Sequence, residues 1–220
     1  MNLITFKNTK LGGRIGQINM PALTSCRTNA PCAEGCYATS GNFAYENVRK
    51  SHMEKYIMAV KHPVEFFGTL DIELSLSSAK YIRWHSSGDI PTYDYFVRMC
   101  KLARKHKDVK FLCFTKKYEI INGYIAEGHR IPKNLTVILS SWGWWMPENP
   151  HNLPMAYVHF GLDAVDKNIP EDANICGGNC GECIYGERAN CWNMKKGESV
   201  KFHIHGAKAK SEIARMKEYI

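Results

Sequence analysis

The sequence lacks long apolar runs. No stretch of its 220 residues approaches the roughly 18 apolar residues that a membrane span needs. The opening "MNLITFKNTKLGG" also lacks the apolar segment of about 7 to 15 residues that marks a signal peptide. We therefore expect a cytoplasmic protein with no membrane partner.

Repeats, linkers and hydrolase motifs are also missing. The chain has no long repeat and no low-complexity tract, and no obvious linker precedes residue 170. It shows neither a Ser-His-Asp order nor a nucleophile elbow. The glycine-rich "LGGRIG" precedes its strand and opens no helix, so we do not expect it to bind phosphate.

Acidic residues are fewer than basic ones, 21 against 29, which gives a net charge of +8. This excess favours a polyanionic partner such as nucleic acid, because such partners are held largely through their phosphates. The alternative is that the charge only keeps the protein soluble.

Cysteine, by contrast, is abundant. A reducing compartment argues against a disulfide framework for the nine cysteines, and short spacings within two groups indicate metal binding instead. Cys100 and Cys113 lie on the apolar faces of a predicted helix and strand, so we expect them in the core. The two groups comprise Cys26, Cys32 and Cys36, and then Cys176, Cys180, Cys183 and Cys191.

Hydrophobic periodicity predicts an α/β fold. Helices are predicted within residues 42–62, 63–78 and 92–106. The first has Met53, Ile57 and Val60 at helical spacing, and the second has Val64, Phe67, Leu70 and Leu74. Thr92 is the expected N-cap of the third. The stretches "VKFLCFTKK", "LTVILSSW" and "MAYVHFGLD" are apolar on both faces, as buried parallel strands are. We predict a partial (β/α) barrel with a mainly parallel sheet over residues 1–170.

Residues 171–220 have a different composition and predict a small C-terminal cysteine-rich metal module. Four thiols at gaps of three, two and seven residues can complete one tetrahedral centre, although spacing does not separate zinc from an iron–sulfur cluster. A basic tail follows, with an apolar stripe that predicts a helix packed on the main domain: Ala209, Ile213, Met216 and Ile220.

The three-cysteine group lacks a fourth thiol, which suggests a reactive site. Polar side chains follow several predicted strands, and in parallel sheets such ends carry the chemistry. From these we choose Ser87, Asp89, Lys116 and Ser140 as catalytic candidates. Trp142 could stack on a base or cap the core, and "HIHG" (His203, His205) could bind metal or lie on a surface strand.

Two segments resemble radical S-adenosylmethionine (SAM) enzymes. Cys36-Tyr37 follows the first strand, and "SGDIP" (Ser87 to Pro91) follows the second, in the order of that family's motifs. The cysteine gaps are five and three residues, where that family usually has three and two. The resemblance implies a [4Fe–4S] cluster on the first group, SAM on its open iron, and Tyr37, Gly88, Asp89 and Trp142 as cofactor-binding residues.

The combination "CYA", "SGDIP" and "CGGNCGEC" resembles the phage gene product eighty-eight family from about Leu23 to His205. This resemblance implies a phage or prophage protein working in the cytoplasm of a bacterial host, and it supplies no reaction.

Two functions follow. The first is an iron–sulfur enzyme of the radical SAM type with one or two [4Fe–4S] clusters, a reductant protein as partner, and a nucleic acid or nucleotide as substrate. The alternative is a non-catalytic, zinc-stabilised nucleic-acid-binding protein, in which His52 or a cysteine brought in by the fold completes the first group.

Overall fold

The computed structural model describes residues 2–6, 8, 11, 13–184, 190–218 and 220. This part of the chain contains seven strands, and helices lie between all consecutive strands except β4 and β5. The strands are β1 (Ile15–Ile18), β2 (Tyr81–Trp84), β3 (Lys110–Thr115), β4 (Leu135–Ser140), β5 (Met155–His159), β6 (Asn174–Ile175) and β7 (Ser199–His203). The helices are α1 (Glu46–Lys61), α2 (Pro63–Leu76), α3 (Tyr93–Lys105), α4 (Tyr118–Ala126), α5 (Asp163–Asp166), α6 (Cys180–Cys183) and α7 (Ala209–Lys217).

The seven strands form one sheet in the order β1-β2-β3-β4-β5-β7-β6, and every described strand pair is parallel. The predicted α/β class with a mainly parallel sheet is thus confirmed. The described strands form an open sheet, with β1 and β6 at its edges. The first five strands follow one another without the reversal of strand order that characterises doubly wound folds.

One face of the sheet carries the main core. Alternate strand residues such as Ile82, Trp84 and Phe111 point to this face and belong to one buried cluster with side chains of helices α1 to α4. Parallel connections normally have one hand, so consecutive neighbouring strands place their crossover helices on the same side. Phe66 and Phe96 are among the fully buried helical side chains there.

The opposite face is covered by the cysteine-rich segment. Leu112, Ile138 and Ala156, which alternate with the residues of the first face, pack in a second cluster with Trp192 and the nearby cysteines. The Trp192 ring lies 5.2 Å from that of Tyr81 between centroids. These strands are therefore apolar on both faces for two different reasons: helices cover one side and a loop segment covers the other.

Helix α3 follows its sequence signals closely. Thr92 caps it by accepting a hydrogen bond from the Tyr95 backbone N–H at 3.1 Å. The predicted face of Phe96, Cys100 and Ala103 is buried, and Cys113 on β3 is buried as predicted as well.

Helix α1 buries a face other than the apolar one. Met53, Ile57 and Val60, which gave the predicted spacing, are all more than a third exposed. The buried residues of α1 are His52, Lys55 and Ala59. Lys55 is tolerated there because its ammonium group donates to the Leu3 carbonyl at 3.0 Å, although burial lowers its pKa.

Helix α2 begins at Pro63, as expected for a proline in the first turn. Phe67, Leu70 and Leu74 are buried as predicted, whereas Val64 is 72% exposed. None of the described helices is long and apolar enough to cross a membrane.

The proposed C-terminal module, residues 171–220, contributes β6, α6, β7 and α7, and its residues 185–189 and 219 lie outside the described part of the chain. Strand β7 pairs with β5 in the common sheet, from Met155 opposite Ser199 to His159 opposite His203. The segment is thus joined to the sheet by backbone hydrogen bonds. Met216 of α7 is buried, and Ile220 is 67% exposed.

Candidate functional site

The three-cysteine loop lies across the carboxyl ends of the first strands. It leaves β1 and contacts α4 through an ion pair between Arg27 and Glu119, 2.8 Å apart. At its other end the Tyr37 hydroxyl donates to the backbone carbonyl of Ser86, just beyond β2. This places the first cysteine group at the sheet edge where parallel folds keep their reactive groups.

The three thiols of this loop lie close enough to influence one another. Burial chiefly raises the pKa of Cys26 to about 12, and the charge of Asp89 and then the neighbouring Cys32 and Cys36 raise it further. Burial also raises the pKa of Cys36, while Lys116 and Lys208 oppose that shift. Both shifts favour the neutral thiol at Cys26 and Cys36.

Asp89 is buried beneath the loop, and it is bound by three protein donors. Its Oδ1 accepts from the Thr115 hydroxyl at 2.6 Å and from the Ile90 N–H at 2.8 Å, and its Oδ2 accepts from the Lys116 N–H at 2.8 Å. Burial raises the pKa of this carboxyl group, and the three hydrogen bonds oppose the shift. The carboxylate therefore joins the ends of β2 and β3 and lies next to Cys26.

The neighbours of Asp89 hold the same turn in place. The Ser87 hydroxyl donates to the Met20 carbonyl at 3.0 Å, and the Asp89 N–H donates to the Ser25 hydroxyl at 3.0 Å. Gly88 has φ +77°, and a side-chain carbon there would lie 2.7 Å from Met20 Cβ. Only glycine fits this close approach. The residues "SGD" therefore pack and hydrogen-bond the end of β2 onto the segment that follows β1.

Lys116 and Trp142 lie on the neighbouring strand ends. The Lys116 ammonium group lies 5.7 Å from the centroid of the Trp142 ring. The Trp142 indole N–H is buried and has no hydrogen-bond partner. Ser140 ends β4, is buried, and its carbonyl accepts from the Tyr118 hydroxyl. The predicted residues at the ends of β2, β3 and β4 are therefore grouped under and beside the cysteine loop.

The four-cysteine group occupies the other face of the sheet. Burial raises the pKa of Cys191 to about 12, and the other three thiols add to the shift, with Cys176 and Cys180 ahead of Cys183. All four are half-buried. The second group is thus gathered around Cys191, away from the helical face.

Arg83 contacts the four-cysteine group and was not anticipated from the sequence. Its guanidinium group donates to Cys180 Sγ at 3.5 Å and lies 5.0 Å from the Phe114 ring centroid. Its positive charge acts on both Cys191 and Tyr37. The available signal was a charged residue within the strand "YIRW", which is otherwise apolar or aromatic.

Helix α7 packs on the first cysteine loop, a contact that the sequence did not reveal. Lys208 donates to the Glu34 carbonyl at 3.0 Å, and Arg215 pairs with Glu34 at 3.3 Å and with the buried Glu212 at 2.8 Å. A side chain at Gly35 would collide with Glu212. Part of the basic tail therefore binds the protein itself.

Metal binding depends on the chemistry of the two thiol sets. Among the described residues, no three His, Cys, Asp or Glu side chains form a group that could hold a metal ion as they stand. Each thiol set nonetheless has the donors that zinc and iron–sulfur clusters take, and its members lie within electrostatic range. His52, the suggested fourth ligand, has a pKa lowered to about 4 by burial and then by Lys55, and its ring lies 6.1 Å from that of Phe43.

An open parallel sheet with cysteine loops at its carboxyl edge and on its second face defines a mixed α/β protein. A family model described as Gene product 88 matches residues 2–154, well over half of the chain. The chain therefore belongs to the Gene product 88 family, a phage gene product family. The match includes the three-cysteine loop and ends before the four-cysteine group. No curated protein and no solved structure matched the chain.

Proposed function

We propose that this protein is an iron–sulfur enzyme resembling radical SAM enzymes, in which Cys26, Cys32 and Cys36 hold a [4Fe–4S] cluster with one open iron. The observation that carries the proposal is the position of the loop. It lies over Asp89 and beside Lys116 at the carboxyl edge of a parallel sheet, directly after the first strand. When bound, such a cluster would supply the electron for reductive cleavage of SAM.

Asp89 is the proposed partner of the SAM ammonium group. Its Oδ1 accepts two of the described hydrogen bonds and its Oδ2 accepts one, so Oδ2 retains acceptor capacity. The three donors fix the carboxylate, and its charge acts on Cys26, which supports a role for Asp89 near the proposed cluster. A fixed, buried carboxylate needs little rearrangement when it binds a cation.

Other residues at this edge have supporting roles in the proposal. Trp142 offers an aromatic face for adenine, next to the Lys116 ammonium group. Tyr37, which follows Cys36 and is tied to Ser86, fixes the end of the loop, while Ser87 and Gly88 hold the turn that presents Asp89. Ser140 lies where a substrate would approach the end of β4.

The second cysteine group is proposed as an auxiliary metal site, occupied by a second [4Fe–4S] cluster or by zinc. Its place on the apolar face of the sheet, with Trp192 packed on Tyr81, supports a structural role. The net charge of +8 supports a nucleic acid or nucleotide substrate. A reductant protein would deliver the electron, since no side chain of the first group supplies one.

The decisive experiment is anaerobic purification followed by iron, zinc and acid-labile sulfide analysis. The proposal expects about four irons and four sulfides for an occupied three-cysteine site. Dithionite-reduced protein should then convert SAM to 5′-deoxyadenosine, and Asp89→Ala should weaken SAM binding measured by calorimetry, because the ammonium group loses a contact worth roughly 1.5 to 3 kcal/mol. Asp94→Ala, which removes only the exposed partner of Arg98 on α3, is the control and should bind SAM as the wild type does.

Colourless protein with zinc in both groups would overturn the enzyme proposal. It would leave the alternative, a zinc-stabilised nucleic-acid-binding protein. Protein that holds iron and sulfide but does not bind SAM would be an iron–sulfur protein of another kind.

A further inference from the structure

The ends of β5 and β7 bring two histidines together outside the cysteine sites. His159 and His203 are opposite each other in the register of these parallel strands. Their Nδ1 atoms lie 2.9 Å apart, and the ring planes are inclined at 69°. The "HIHG" motif suggested His203 with His205, but strand β7 ends at His203. The His203 ring faces His159, and His205 Nδ1 lies 3.1 Å from the His203 backbone carbonyl oxygen.

A carboxylate orients the first of these rings. Asp166 Oδ2 lies 3.5 Å from His159 Nε2. The same carboxylate is fixed by the backbone N–H groups of Phe160, at 3.0 Å, and Leu162, at 2.9 Å. Asp166 therefore favours the hydrogen on Nε2 of His159 and leaves its Nδ1 as the lone-pair nitrogen that faces His203.

In metal-binding histidines the second ring nitrogen faces a carboxylate, as Nε2 of His159 faces Asp166 at 3.5 Å here. Ligand nitrogens lie about 2.0 to 2.1 Å from a bound zinc, so two of them at a right angle are separated by about 2.9 Å and at a tetrahedral angle by about 3.4 Å. The observed separation fits the right angle and lies about 0.5 Å from the tetrahedral value.

We propose that His159 and His203 form a binding site for a divalent transition-metal ion of the class that prefers imidazole, with Asp166 as the supporting carboxylate. Water would complete the coordination, because His203 is exposed to solvent. For both Nδ1 atoms to bind the ion, neither can keep a hydrogen, so each ring then carries its hydrogen on Nε2.

The test uses Ni²⁺, which takes nitrogen ligands at right angles, on protein whose cysteine groups already carry their metal. Calorimetric titration of the wild type should show one further Ni²⁺ site with a dissociation constant in the micromolar range. His159→Gln and His203→Gln should each weaken that site at least tenfold. His62→Gln is the matched control, because this exposed histidine lies between α1 and α2 and outside strands β5 and β7, and it should change the affinity less than twofold.

Asp166→Asn supplies a second measurement. Loss of a supporting carboxylate typically weakens metal binding by about 10- to 100-fold, and circular dichroism checks that the variant is folded. Ni²⁺ binding of wild-type strength in the His159→Gln/His203→Gln double variant would overturn the proposal. So would Ni²⁺ binding that is lost in Cys36→Ala and retained in both histidine variants, because the ion would then be on thiols. Neither result depends on whether the protein binds SAM.

Discussion

The hydroxyl of Thr115 donates a 2.6 Å hydrogen bond to the carboxylate of Asp89, which joins the end of β3 to the turn after β2. Both side chains are buried, so water has little access to replace this bond. The contact holds the proposed site together independently of any cofactor.

Thr115→Val should therefore destabilise the protein by about 1.5 to 3 kcal/mol, the range for a hydrogen bond to a charged group. The shape of the side chain is kept, but the donor to a buried carboxylate is lost together with the acceptor of the Lys117 backbone N–H. Urea denaturation followed by circular dichroism measures the change.

Thr5→Val is the matched control, because the Thr5 hydroxyl makes only a 3.5 Å contact with the neutral Gln17 carbonyl. We expect a loss of about 0.5 kcal/mol or less there. Equal losses of unfolding free energy in the two variants would show that the bond to Asp89 adds no more stability than the weak contact of Thr5.

The two cysteine groups should differ in their effect on stability. Cys180→Ala should lower the free energy of unfolding by about 3 kcal/mol or more, and hence the Tm by roughly 6 to 12 °C, because its segment relies on metal to cover the second sheet face. Cys32→Ala should remove metal from the first group with a much smaller change in Tm. Calorimetric melting and metal analysis of the same samples test this difference, and equal falls in Tm would contradict it.

Acid should destabilise the protein through His85. Burial lowers the pKa of this histidine from 6.5 to about 3, and its Nδ1 has no partner while its Nε2 lies 3.3 Å from the Tyr95 hydroxyl. Below pH 6.5 the unfolded chain binds a proton that the folded state does not bind. The contribution of His85 is thus fully present above pH 6.5 and is lost as the pH falls towards 3.

His85→Asn should flatten the dependence of unfolding free energy on pH between about 6 and 4 by up to about 1.4 kcal/mol per unit. Asparagine suits the positive φ of 55° at this position. Urea unfolding at several pH values gives the slope. His62→Asn, at an exposed histidine, should leave it unchanged, and an unaltered slope in His85→Asn would refute the assignment.

Nucleic acid binding by the basic tail can be tested with two lysines, Lys208 at the N-cap of α7 and Lys210 in its first turn. Lys210 is exposed, whereas Lys208 donates to the Glu34 carbonyl. If the tail contacts single-stranded nucleic acid, the affinity should fall with salt concentration. Lys210→Gln should make the slope of log affinity against log salt concentration shallower by about 0.7, and Lys208→Gln should change this slope less. Fluorescence anisotropy across a salt series measures both. Unchanged slopes in both variants would place the contact elsewhere.

The sheet was predictable because its strands carry local signals. The strands β3, β4 and β5 are apolar on both faces, and α3 begins at a threonine whose hydroxyl caps it. The same patterns predicted that Cys100 and Cys113 are buried in the core, as they are. Each of these features depends on residues within one element, which the sequence shows directly.

The remaining features depend on contacts between distant residues. The spacing of Met53, Ile57 and Val60 indicates a helix, but it does not reveal that α1 turns His52 and Lys55 inward. Lys55 becomes acceptable only because the carbonyl of Leu3 lies beside it.

The candidate site was predicted in part. The strand-end rule correctly placed Asp89, Lys116 and Ser140 at one edge of the sheet. The approach of Arg83 to Cys180 and of Arg215 to Glu34 joins residues 97 and 181 positions apart in the chain. No local pattern encodes such pairs, because they exist only once the sheet and its covering segments are assembled.

The cover on the second face of the sheet has a consequence for synthesis. Strands β1 to β4 are complete by residue 140, but the side chains that cover Leu112 and Ile138 come from residues 176–202. A chain growing on the ribosome therefore exposes an apolar sheet surface until its last quarter has been made. Nascent chains stalled after β4 should be the aggregation-prone species and the ones that bind chaperones.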